Sequence, residues 1–336
     1  MFEWLVAILV FFIGASLVLY IVLGGADYGA GILELLPSGG LADKQKKIVN
    51  MAMGPVWEAN HMWLIIVVVI LFMGFPLAFN TMMVSLHLPM VALLVGIVVR
   101  GCVFTFRHYD AIQEPRSQRF YTWTFGLSSL WTSMWLGIIA ASLFRERINT
   151  KSVDFHEAYV APWWGLYPFT VGVFVTCIFA FLASAYLIGE TKDLELKRLF
   201  ARRASVFNVL VLFVGTGVFM AARRDGDDLA RDFVSDPVSL ACMVGAILLF
   251  GLLWFRIETR HSWLTRLVAA SQAGLILFGW FVVQAPNVLE TTDGPMSFQE
   301  AAAPAATLIQ LNLALLIGSL LIFPSLFYLI KVFKAK

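Results

Sequence analysis

The sequence predicts an all-α polytopic membrane protein of nine transmembrane helices, and three observations carry that prediction. Hydrophobic residues make up 60% of the 336 positions and charged residues only 14%, against roughly 25% charge in a soluble domain. The apolar residues gather into nine runs, each close to the roughly 20 residues a helix needs to cross the hydrocarbon. The basic residues fall unevenly on the connections between those runs. A net charge of +2 is too small to point to a nucleic-acid partner.

In chain order, the first run is 4–26. It carries Glu3 where a secretory signal has a basic start, and it is too long for a signal core, so it reads as the first transmembrane helix. Residues 27–36 continue that helix until Pro37-Ser38-Gly39-Gly40 ends it. The second and third runs are 57–79 and 82–106, and Asn80-Thr81 between them predicts a tight antiparallel hairpin. The remaining runs are 121–144, 167–189, 205–222, 238–255, 265–284 and 305–330. Connection 190–204 mixes basic and apolar residues, as a segment at the membrane surface does. Pro89 and Pro324 predict kinks. Cys102, Cys177 and Cys242 lie far apart without a CxxC pair, which excludes a disulfide framework and a zinc site. They are expected to be buried packing residues.

Charge sets the orientation. With nine spans the connections alternate between two sides. One side holds Lys44, Lys46, Lys47, Arg107, Arg116, Arg119, Lys192, Lys197, Arg198, Arg202, Arg203, Arg256, Arg260, Arg266, Lys331, Lys334 and Lys336, which is 17 of the 24 basic residues. The other holds Arg145, Arg147, Lys151, Arg223, Arg224 and Arg231, which is six; the last, Arg100, lies inside the third span. The positive-inside rule then places the N-terminus outside and the C-terminus in the cytoplasm.

Function is expected where charge enters the membrane. Gly54-Pro55-Val56-Trp57-Glu58-Ala59-Asn60-His61-Met62-Trp63 crowds hydrogen-bonding groups into the start of the second span. Glu58 and His61, three residues apart, share a helix face. Asp27, Glu58 and Arg100 fall at similar depth near the inner ends of consecutive spans. Intramembrane ionisable groups are costly and mark functional sites. The trio reads either as a proton-conducting site or as an Arg–carboxylate bridge holding three helices, and the residues alone leave both open. Small residues at Gly25, Gly29 and Ala30 predict close approach of a neighbouring helix. His87 is placed near the middle of the third span. No paired axial-ligand pattern accompanies it, so no haem is expected on this chain.

These residues carry a resemblance. Gly25-Ala26-Asp27-Tyr28-Gly29-Ala30-Gly31 is similar to the D-G-F-D-x-G-x-G of subunit II of the cytochrome bd-type quinol oxidases, including the cyanide-insensitive branch. The stretch from Gly54 to Ile65 resembles that family's P-x-W-D-G-N-x-x-W-L, and Arg100 to Arg107 its R-G-x-x-F-x-x-R. Leu308-Ile309-Gln310-Leu311-Asn312 resembles the start of its last helix. The chain departs at Gly24, Glu58, Ala59 and Thr105, where the family has Asp, Asp, Gly and often an acid, so it resembles a divergent member.

The resemblance implies two four-helix bundles plus one peripheral helix, here 1–145, 160–285 and 300–336, in a single membrane domain. It implies an accessory subunit of a prokaryotic plasma-membrane quinol:oxygen oxidoreductase, with haem b and haem d in the partner subunit I. Small single-span subunits and a bound structural quinone are further expectations. Asp27 and Glu58 become the proton path to oxygen reduction, supported by Trp57, Asn60, His61 and Arg100. The alternatives are a proton- or ion-coupled secondary transporter, which would show interrupted helices meeting at the midplane, and a scaffold that only stabilises a haem subunit.

Overall fold

The computed structural model describes residues 2–54, 57–110, 114–256 and 262–334. Pro55 and Val56 of the second motif, together with Arg260, His261 and Lys336, lie outside the described residues. Among those described, nine helices are long and apolar enough to cross a membrane: Phe2–Glu34, Trp57–Gly74, His87–Arg107, Pro115–Ser142, Leu166–Leu187, Leu194–Asp225, Pro237–Trp254, Trp263–Gln284 and Ala305–Ile322. They are called the first to ninth spans below.

The fifth span is the centre of the molecule. Every residue from Cys177 to Ala185 is buried, because the first and fourth spans press on one side while the sixth and eighth close the other. Close approach is a matter of missing side chains. A Cβ on Gly29 would strike the backbone carbonyl of Phe179, and one on Gly25 would lie 2.5 Å from the Phe179 ring. Gly137 of the fourth span meets Gly172 of the fifth in the same way. The third span packs on the fourth, the seventh on the eighth, and the ninth against the first and second. Asn312 of the ninth span donates to Leu5 O at 3.0 Å, tying the two ends of the chain together.

Several local expectations are corrected. Asn80 and Thr81 do not form a turn; they lie inside a helix, Pro76–Ser85, that joins the second and third spans. The chain breaks earlier, at buried Phe75, and Pro76 starts the new helix, where its missing N–H costs nothing. Pro89 falls in the first turn of the third span, just after the helix is interrupted at Leu86. His87 therefore opens that span and is not near its middle; its Nδ1 lies 2.9 Å from Val84 O and its ring packs edge-on against Tyr159.

Residues 194–204 are helical and continuous with the sixth span, started by the Asp193 side chain, which accepts from the Glu195 and Leu196 N–H groups. Cys102 is exposed, whereas Cys177 and Cys242 are buried; all three are free thiols. One antiparallel β-hairpin, Asn287–Thr291 with Gly294–Ser297, interrupts the all-α pattern in the eighth-to-ninth connection. Gly294 takes φ +121° at its turn, a conformation that side chains other than glycine's resist.

Candidate proton site

The site begins with an irregularity in the first span. Residues Tyr20–Gly24 form a π-helical turn, and Gly25–Glu34 resumes the α-helix. Such insertions rotate the following residues and often lie at functional sites. Here the Tyr20 and Tyr28 hydroxyls meet at 3.0 Å, and Asp27 faces the second span with 1% of its surface exposed. Asn60 Nδ2 donates to Asp27 Oδ2 at 2.7 Å. A carboxylate without water needs such a donor, because unsatisfied burial costs several kcal/mol.

Arg100 of the third span stands beside this pair, 2% exposed. Its Nε donates to Ser129 Oγ at 3.2 Å, and its Nη1 lies 3.4 Å from His61 Nε2. The guanidinium sits 4.6 Å from the centroid of the Tyr28 ring and 5.1 Å from that of Phe125. Arginine fits this place because its flat cation stacks on aromatic faces while it donates in plane. Among the described residues Arg100 makes no ion pair, so the Arg–carboxylate bridge, one of the two readings the sequence leaves open, is not formed. Ring stacking, a hydroxyl and an imidazole hold the cation instead. Trp57 covers the site, with its ring 6.2 Å from His61 and 5.4 Å from Phe104.

Glu58 stands apart from this constellation. It is exposed, while His61 on the same helix turns inward to Arg100. Glu58 heads a stripe at helical spacing, followed by exposed Ile65, Val69 and Phe72. Of the six residues expected at the site, five converge: Asp27, Trp57, Asn60, His61 and Arg100. The sixth lies on the outer surface of the helix that carries three of them.

A second polar layer follows along the first span. Arg107 Nη1 pairs with Glu34 Oε2 at 2.7 Å, both side chains 2% exposed, and Nη2 hydrogen-bonds Asn50. The Arg107 guanidinium stacks on Phe125 at 4.7 Å, so one ring carries both arginines. Nearby, Lys46 donates to Gln118 at 2.7 Å. Arg203 donates to the Leu33, Leu36 and Pro37 carbonyls, satisfying the C-terminal end of the helix that bears Asp27.

A family model described as cytochrome bd terminal oxidase subunit II matches residues 5–333. The chain belongs to the cytochrome bd terminal oxidase subunit II family. As a subunit II, it is 26% identical over 175 residues to cytochrome bd ubiquinol oxidase subunit 2 of Bacillus subtilis (strain 168), a stretch covering 52% of this chain and 49% of that one. To cytochrome bd-I ubiquinol oxidase subunit 2 of Escherichia coli (strain K12) it is 24% identical over 133 residues, 40% of this chain and 34% of the other. The matched stretches thus span half or less of the length of these curated relatives. A chain in the structure of the bd oxidase from Geobacillus thermodenitrificans shares the fold, with TM-score 0.74 over 98% of both chains at 17% identity.

Sequence reasoning passed over four participants in this subunit II. Phe125 and Ser129 sit in the apolar run 121–144, and Tyr28, although inside the first motif, carries no charge that singles it out. Glu34 ends the first span, and no motif singles it out. Its partner Arg107 was counted among the surface charges.

Proposed function

We propose that this chain supports a haem-bearing subunit I in a membrane quinol:oxygen oxidoreductase and supplies its protons from the cytoplasm through Asp27 and Glu58. The observation that carries the reading is the burial of Asp27. A carboxylate inside a membrane helix, held by one amide and faced by an arginine that forms no bridge to it, has no structural duty that explains its cost. Asp27 is placed to exchange protons, Asn60 fixes its orientation, and Arg100 supplies the opposing charge.

Glu58 fits the last step in this chain. A carboxylate heading an apolar stripe is unfavourable against lipid, and it is better matched to a partner that covers Ile65, Val69 and Phe72. That surface suits subunit I, and Glu58 at its edge suits handing protons across. The oxidant and the quinol follow from the relatives' class, with the haems in subunit I. The Arg100 cation facing His61 Nε2 disfavours that imidazole as a haem ligand, in keeping with haems held by subunit I. Small single-span subunits and a bound quinone belong to the same proposal. So does the orientation with the N-terminus outside and the basic side in the cytoplasm of a prokaryotic cell, which puts Asp27 and Glu58 at the uptake side.

The test is turnover of the assembled complex. Asp27→Asn keeps the hydrogen bond to Asn60 and Glu58→Gln keeps size, yet neither variant titrates. Each is expected to slow oxygen consumption at least about tenfold, which corresponds to roughly 1.4 kcal/mol in the limiting barrier. Assembly and haem content should stay normal. Full assembly with wild-type turnover in both variants would overturn the proton role.

A further inference from the structure

Glu34 is a buried carboxylate that the site around Asp27 does not use. Its Oε2 is committed to Arg107 at 2.7 Å. Its Oε1 is buried and has no hydrogen-bond partner among the described residues. A carboxylate placed only to neutralise an arginine is best satisfied at both oxygens, since an arginine fork matches it two to two. Arg107 instead spends its second nitrogen on Asn50. One oxygen of Glu34 is therefore left open at the point where the second polar layer meets the inside of the bundle.

Position on the helix adds to this. Glu34 lies seven residues after Asp27, which puts both carboxylates on one face, about 10 Å apart along the axis. Gly31 lies between them on that face, four residues from one and three from the other. The space its side chain would fill is taken by Ser129 Oγ, the hydroxyl that also accepts from Arg100. The same seam is bounded by Phe125, stacked between Arg100 and Arg107. A carboxylate, a hydroxyl and a second carboxylate thus follow one another along a single helix face. On the far side of Glu34, half-buried Lys46 and Gln118 lead to the basic side of the protein.

We propose that Glu34 is a proton-relay carboxylate upstream of Asp27, taking protons from the cytoplasmic side at Oε1 and passing them inward past Ser129. The inference rests on the proton role of Asp27. In the uptake step an O–H bond forms at Oε1 as one breaks in a hydronium ion at the entrance, which leaves as water. In the transfer step the Glu34 O–H breaks and one forms on the Asp27 carboxylate, through Ser129 or an intervening water. The distance excludes direct transfer, and Glu34 returns to its anion paired with Arg107. No electron moves.

The experiment uses the assembled oxidase and compares E34Q, E34D and Asp27→Asn for oxygen consumption, haem content and the solvent deuterium isotope effect across pH. E34Q preserves the hydrogen bond to Arg107 but cannot carry a proton. It is expected to lower turnover about tenfold with haem content unchanged, and E34D is expected to restore most of the rate with a raised isotope effect. If Asp27→Asn is slow while E34Q turns over like wild type, the relay is overturned and the role of Asp27 stands. If both turn over like wild type, the Asp27 reading itself fails and this one falls with it. Should E34Q not assemble, E34D decides: its shortened reach must raise the isotope effect, and an isotope effect equal to wild type overturns the proposal.

Discussion

Gly29→Ala is a small change with a calculable cost. The new methyl would sit on the carbonyl of Phe179 and 2.7 Å from the Ala183 Cβ. The first obstacle is backbone of the fifth span and the second is a methyl fixed directly to it, so no side chain can rotate away. Relief requires the first and fifth spans to separate, and overpacking of this kind costs about 1–3 kcal/mol. The upper part of that range applies because the clash is with backbone. Alanine recovers about 1 kcal/mol through its better helix propensity. In lipid the added methyl gains little from burial, because the tails are as apolar as the interface. The balance is a loss of about 1–2 kcal/mol, seen as a fall of a few degrees in the midpoint of thermal unfolding in detergent. Gly251→Ala is the control: nothing lies within 4 Å of its added Cβ, so only the propensity gain remains. Because Gly29 is two residues from Asp27 on the same helix, turnover should fall with stability. A Gly29→Ala protein that melts and turns over like Gly251→Ala would refute the packing argument.

Reporter fusions at residues 115 and 150 should localise to opposite sides of the membrane, the first in the cytoplasm; equal signals at the two would contradict the nine-span orientation. In the connection between the eighth and ninth spans, burial and then the charges of Glu146, Asp227 and Asp232 push the Glu290 carboxyl up from 4.5 to about 7. The folded hairpin therefore holds a proton that the unfolded chain has released, so stability falls as pH rises across that window and levels off above it. Hydrogen exchange of residues 287–297 should show less protection at pH 8 than at pH 5, and Glu290→Gln should remove the difference. A variant that keeps the wild-type pH dependence would show that another group is responsible.

What depends on composition along the chain is legible before any two helices meet. Nine spans were legible because crossing the hydrocarbon demands a run of about 20 apolar residues whatever the neighbours do. The burial of Asp27 and Arg100 was legible because an ionised side chain inside such a run has nowhere polar to go. Gly25 and Gly29 announced a close helix contact, although the identity of the partner, Phe179 on the fifth span, lay 150 residues further on.

What the tertiary structure decided was which residues meet. Spacing alone placed Glu58 and His61 on one face, but whether that face turns inward depends on the third and fourth spans; it closes over His61 and leaves Glu58 outside. Arg100 could find a carboxylate or a ring, and the packing of Tyr28 and Phe125 chose rings. Glu34 and Arg107 are 73 residues apart and each ends a span, so nothing local pairs them, and only the bundle brings them together. Asn80-Thr81 carried turn chemistry, yet Pro76 had already started a helix through it. A helix end reports its own capping residues locally, but the exclusion of water from a side chain is a property of every helix around it.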